Sequence, residues 1–78
     1  MPTIVEKGRI RFCIYPREHI FEPPHVHVWV GNDDVCRIDL NSGEFMEDPP
    51  PGERSKILKL YIDNAVIIRQ KWDQIHGR

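Results

Sequence analysis

Seventy-eight residues, 40% of them hydrophobic and 29% charged, describe one globular domain over residues 1–78 with a modest core, because a chain this short buries only about 60% of its unfolded surface. The net charge of −1 excludes a uniformly basic nucleic-acid binder, although Lys7, Arg9, Arg11 and Arg17 gather near the start while Asp39, Glu44, Glu47, Asp48 and Glu53 crowd the middle, which leaves room for a local basic face. No apolar signal core opens the chain and no segment approaches the ~20 apolar residues of a membrane span, so the cytoplasm is the expected location.

From Arg9 to Tyr15 the chain alternates, with Ile10, Phe12 and Ile14 on one side and Arg9, Arg11, Cys13 and Tyr15 on the other, the period of a half-buried strand. Pro16 ends it. A loop runs from Arg17 to Pro24, where two prolines lack amide donors and bias Glu22 away from helix. His25 to Val30 then alternates cleanly: Val26, Val28 and Val30 form one face, His25, His27 and Trp29 the other. The turn Gly31-Asn32-Asp33-Asp34 leads into a third strand over Val35 to Leu40, with Cys36, Ile38 and Leu40 facing one way. After a reversal at Asn41-Ser42-Gly43, Glu44-Phe45-Met46 can add a short edge strand. Cys13 and Cys36 have no Cys-x-x-Cys spacing and fall on opposite strand faces, so both are expected as reduced, buried thiols.

Asp48-Pro-Pro-Pro-Gly52 is a stiff connector, and from about Glu53 to His76 the chain has neither Pro nor Gly, with Glu53 at the positive end and His76 at the negative end of a helix that Gly77 stops. The fold class is therefore α+β, an antiparallel meander of three to four strands packed on one C-terminal helix. At ~1.5 Å per residue this helix reaches about 35 Å, against about 20 Å for a six-residue strand, so it should overhang the sheet. Ala65, Val66, Ile67 and Ile68 are consecutive and span most of its circumference, more than one sheet can cover. Two covers are open: a second copy of the chain, with Ile67 or Ile68, Trp72 and Ile75 in the contact, or the N-terminal tail with Ile4 and Val5 folded back.

If the helix covers the valine face, the opposite face displays Arg9, Arg11, Tyr15, His25, His27, Trp29, Arg37 and Asp39. Cations around central aromatics are what single-stranded nucleic-acid binders use, phosphates meeting guanidinium groups while bases stack on rings; Arg9, Arg11, Trp29 and Arg37 are the candidate RNA contacts. A solvated sheet face reads the same way. His25 and His27 project together, about 6.6 Å apart along the strand. With His19 they make a three-imidazole set for a divalent metal such as zinc, Asp39 orienting one ring from behind. The metal-free alternative uses one imidazole as base and another as acid, with Arg11 or Arg37 on a phosphate, which suffices to cleave RNA through its 2′-hydroxyl. Trp29 and Trp72 read as sheet cover and helix anchor.

Met1-Pro2-Thr3-Ile4, Arg9-Ile10-Arg11-Phe12, Glu18-His19, Pro23-Pro24-His25-Val26-His27-Val28, Asp39-Leu40-Asn41-Ser42-Gly43-Glu44 and a closing helix with Trp72 together resemble the small bacterial family called domain of unknown function 4160. Pro-Pro-His-x-His-Val is the most specific part. Glu18 stands where the family usually has Asp, and Ile20-Phe21-Glu22 and the triple proline depart from its pattern. Members are similar to components of two-gene toxin-antitoxin-like modules, and the resemblance implies RNA cleavage, or binding of a cognate small protein, rather than metabolism. It adds weight to His19, His25 and His27.

Overall fold

The computed structural model describes residues 3–16 and 23–76. Four strands follow one another in space as in sequence: β1 (Thr3–Lys7), β2 (Ile10–Cys13), β3 (His25–Val30) and β4 (Asp33–Asp39), all antiparallel, before the single helix α1 (Arg54–Ile75). This is the α+β meander that the alternation of apolar residues demands. Both hairpins β1–β2 and β3–β4 close through two residues, Gly8-Arg9 and Gly31-Asn32. The first of each pair has a positive φ, 61° at Gly8 and 64° at Gly31, a region open to glycine and matched to the strand twist. The two turns also join each other, the Gly31 amide donating to the Arg9 carbonyl at 2.8 Å.

Strand β1 is absent from the alternation analysis for a physical reason. Its pairing with β2 slips at Ile4, Thr3 standing opposite Cys13 and Val5 opposite Phe12. An extra residue of this kind breaks the two-residue period that identifies a strand. The slip also lets Ile4 and Val5 both pack against the core, but as part of an edge strand, and Val66 and Ile67 on the outer helix surface stay exposed. Phe45 makes a bridge to Ile38, and Asp39 and Met46 exchange backbone hydrogen bonds with Glu44 and Arg37, so the expected edge segment lies against β4.

Ile57, Leu60, Tyr61, Ile68 and Trp72 form the buried stripe of α1 at helical spacing. They meet Phe12, Ile14, Val26, Val28 and Ile38, all fully buried on the facing side of the sheet. Asn64 interrupts the helix with φ −125° and ψ 15°, and its side-chain amide donates to the Leu60 carbonyl at 2.9 Å. The four consecutive apolar residues divide: Ala65 and Ile68 turn to the core, Val66 and Ile67 to solvent. Ile68 and Trp72 are thus filled by their own chain, while Ile67, the alternative named for a contact with a second copy, stays 48% exposed. Burial pushes the Cys36 thiol up to about 11; it and Cys13 are buried and unbridged, packed as small hydrophobes.

Truncating Ile68 to Ala should destabilise the domain by about 3 kcal/mol in urea unfolding, and Ile68→Val by about 1 kcal/mol, the loss expected for a filled core site. Val66→Ala, 72% exposed, should fall within about 0.5 kcal/mol of the parent chain.

Candidate functional site

Strand β3 is out of water on both faces. Val26 and Val28 are fully buried against the helix side, as their alternation requires, but His25 and His27 are also buried, at 1% and 9% exposure. Cys13, the β2 neighbour of His27, is fully buried beside them. The face read from sequence as an open working surface is therefore closed at its two histidines, while Arg11, Tyr15, Trp29 and Arg37 around them stay half-buried. Its rings run in series: Tyr15 to His27 at 4.7 Å between centroids, His27 to His25 at 5.2 Å, His25 to Trp72 at 5.7 Å and Trp72 to His76 at 3.8 Å. The overhang of α1 explains the last two members. Its 22 residues span about 33 Å at ~1.5 Å each, more than any strand here, and its last turns reach the point where β3 begins.

Buried imidazoles require hydrogen bonds, and both rings here use Nδ1. His25 Nδ1 donates to the Pro23 carbonyl at 2.9 Å, and His27 Nδ1 donates to Asp34 Oδ2 at 3.0 Å. Where such a ring is neutral, a proton on Nδ1 leaves its lone pair on Nε2. Asp34 reaches His27 because of an irregularity in β4. Cys36 stands opposite Val28 and Asp34 opposite Trp29, so Val35 is an extra residue. Strict alternation would place Asp34 on the Cys36 and Ile38 side, in the apolar core; the bulge returns it to the histidine face. An acid at a core-parity position was the available signal, and sequence reasoning passed over it.

The other expected site residues are largely engaged within the chain. Asp39 pairs with His25 across the ladder, but its carboxylate accepts from the Asn41 amide at 2.7 Å and the Ser42 amide at 3.3 Å, so it shapes the next turn. The orienting role assigned to it belongs to Asp34, on the other histidine. Arg37 Nε donates to Glu47 Oε2 at 3.0 Å, and this guanidinium holds the Glu47 carboxyl below the usual carboxylate range. Arg11 donates to the Gly31 carbonyl at 3.0 Å and lies 5.4 Å over the Trp29 ring. Trp29 Nε1 donates to the Tyr15 hydroxyl at 3.1 Å, whose pKa is raised by burial, so it stays protonated at neutral pH. Arg9 sits in the Gly8-Arg9 turn ahead of β2, where strand parity no longer governs it. His19 lies outside the described residues, and among the described residues no three His, Cys, Asp or Glu groups are placed to share a metal ion.

What remains chemically competent is the Asp34–His27 pair. It opens on a shallow depression lined by Val35, Cys36, Arg37 and Glu47 as well as by itself. A carboxylate-held imidazole with an arginine at the same opening can accept a proton and stabilise a developing negative charge. His25, deeper still, packs its ring edge-on against His27.

Nitrogen-15 correlation spectra should show both β3 histidines as Nδ1–H tautomers in the neutral form. Asp34→Ala should free His27 to populate the Nε2–H form and should lower stability by about 1–2 kcal/mol, the loss expected when a partly buried donor forfeits a charged acceptor. His25 should be unaffected, since its acceptor is main chain.

No curated protein and no solved structure matches the chain. A family model, described as Domain of unknown function (DUF4160), matches residues 9–73. That span takes in β2, β3, β4, both histidines, Asp34 and the helix through Trp72 and omits β1. The chain belongs to the DUF4160 family.

Proposed function

We propose that this protein is one component of a bacterial toxin-antitoxin-like pair and acts on single-stranded RNA by acid–base chemistry centred on His27. The observation that carries the reading is the 3.0 Å Asp34–His27 hydrogen bond at the mouth of a depression shared with Arg37. In this scheme His27 Nε2 takes the proton of a ribose 2′-hydroxyl. The 2′-oxygen bonds to phosphorus, the bond from phosphorus to the 5′-oxygen breaks, water protonates the leaving oxygen, and the resulting hydroxide takes back the proton from the His27 imidazolium, giving a 2′,3′-cyclic phosphate and a 5′-hydroxyl end. Arg37 transfers from Glu47 to the phosphate as charge builds there. Arg11 and Trp29, already stacked, supply a cation and a ring for the flanking nucleotide. Compared with the sequence reading, His25 moves from acid or base to a positioning residue, since a 1% exposed ring does not touch substrate.

Expression should arrest growth, and the purified chain should yield cyclic-phosphate ends from unstructured RNA. His27→Ala and Asp34→Ala should each lower cleavage, His27→Ala by about 10²- to 10⁴-fold, with the fold retained by circular dichroism. Harmless expression together with intact RNA at micromolar protein would end this reading.

A second reading, a non-catalytic module that docks a cognate small protein, is favoured by the helix surface. Ile62 and Val66, one turn apart, are 63% and 72% exposed, with Ile67 at 48% beside them. Large aliphatic side chains clustered on one helix face mark contact surfaces. Under this reading the product of the neighbouring gene copurifies with the parent chain and is lost from the Val66→Glu variant, whose own folding is unchanged. Copurification that survives Val66→Glu and Ile62→Lys together would exclude the helix as the docking face.

A further inference from the structure

A well-formed cavity lies away from His25, at the opposite end of β3. It has a volume of about 400 Å³ and opens between the two hairpin turns and the first turns of α1. Its floor is aliphatic: Ile10, Val30 and Leu60 line it and retain 8%, 9% and 8% exposure, whereas Phe12, Val26, Val28, Ile38 and Ile57 are fully buried. The core comes nearer to solvent at this end than at its centre.

The rim is cationic. Lys7, Arg9, Lys56 and Lys59 border the opening against two carboxylates, Glu53 and Asp63. Lys59 and Asp63 pair with each other at 3.4 Å, both well exposed, and largely cancel. Lys7, Arg9 and Lys56 then face Glu53 alone, a local excess of positive charge in a chain whose net charge is −1. The Arg9 side chain lies against the turn beside it. A Cβ built on Gly31 would stand 2.7 Å from Arg9 Nη2, so the guanidinium rests directly over that glycine, and the Gly31 amide donates to the Arg9 carbonyl. Ligand pockets pair an apolar wall with a few placed polar groups in volumes of about 300–1,000 Å³, and this cavity has that make-up.

We infer that this cavity binds a small organic anion, a carboxylate or phosphate monoester carrying a short acyl chain or a single ring, with the apolar body on Ile10, Val30 and Leu60 and the charge on Arg9 and Lys56. An aliphatic floor has no affinity for a bare anion, and a sugar-phosphate chain would leave that floor unused, so the site selects for an amphipathic molecule. It is separate from the acid–base site: His27 and Val30 lie about 10 Å apart along β3 at ~3.3 Å per residue and point to opposite faces of the sheet. Its fate in experiment does not depend on the RNA reading.

The test is amide NMR of the full chain titrated with octanoate, phenyl phosphate, inorganic phosphate and a single-stranded RNA oligomer. Octanoate or phenyl phosphate should produce saturable shifts at Gly8, Arg9, Ile10 and Val30 with a sub-millimolar dissociation constant, while inorganic phosphate should leave those amides unmoved. An Arg9→Gln, Lys56→Gln double variant should weaken binding at least about tenfold through two lost charged contacts. Leu60→Phe, which fills the floor, should abolish it with the remaining spectrum preserved. Absence of localised shifts at ten times that concentration, equal shifts from inorganic phosphate, or saturable shifts at these amides from the RNA alone would each overturn the assignment.

Discussion

The constraint on which the rest of this small structure depends is that β3 must keep two imidazoles satisfied out of water. Its valines need no more than the helix laid over them. His25 and His27 need acceptors, because a buried polar group without a partner costs of the order of 1–3 kcal/mol, a large share of the stability available to 78 residues. The Pro23 carbonyl answers one ring and Asp34 the other. Each solution fixes the neighbouring chain. Prolines before β3 have no amide to donate, so their carbonyls are left as acceptors, Pro23 for the His25 ring and Pro24 for the Leu40 amide at 2.8 Å. The bulge at Val35 exists where Asp34 must cross to the histidine side.

The helix answers a different demand of the same strand. A two-layer domain ordinarily leaves one sheet face to solvent, whereas here the second face carries a chain of rings that ends on Trp72 and His76 of α1. The interruption at Asn64 comes between the two halves of the buried stripe, Ile57 to Tyr61 and Ile68 to Trp72. The first half seals the valine side. The second packs Ile68 into that core and sends Trp72 to the His25 ring, so one helix contributes to the cover on both sides of β3. Among the described residues the outer stripe of Ile62, Val66 and Ile67 stays exposed, and Ile10, Val30 and Leu60 at the end of the core keep 8–9% exposure.

How much of this is readable without coordinates follows from periodicity. β3, the C-terminal helix and the valine core obey strict periods of two and 3.6 and are legible to within a residue or two; the helix expected over Glu53 to His76 has those two residues as its caps. The two pieces that escape, β1 and the role of Asp34, are the two places where a bulge inserts a residue and inverts parity. Asp39 looked like the partner of a histidine because it stands opposite His25 in the ladder, but an aspartate ahead of Asn-Ser-Gly is also a turn former, and its carboxylate closes that turn instead. Burial of the histidine face was not readable from β3 at all. It rests on groups remote in sequence, Cys13, Tyr15, Trp72 and His76, which no local pattern brings together.

The family match adds a division to this picture. Residues 9–73 hold every part of the histidine arrangement that has just been derived except His76: the prolines, both rings, the Val35 bulge with Asp34, and Trp72. Strand β1 lies outside it, and with β1 go Lys7 and Gly8, which form one wall of the cavity at the far end of β3. Removing β1 would leave the Asp34–His27 bond untouched, since neither residue pairs with that strand, but would expose the β2 edge and open the cavity on one side. The histidine arrangement therefore stands on interactions internal to the matched region, while the cavity requires an element added at the sheet edge.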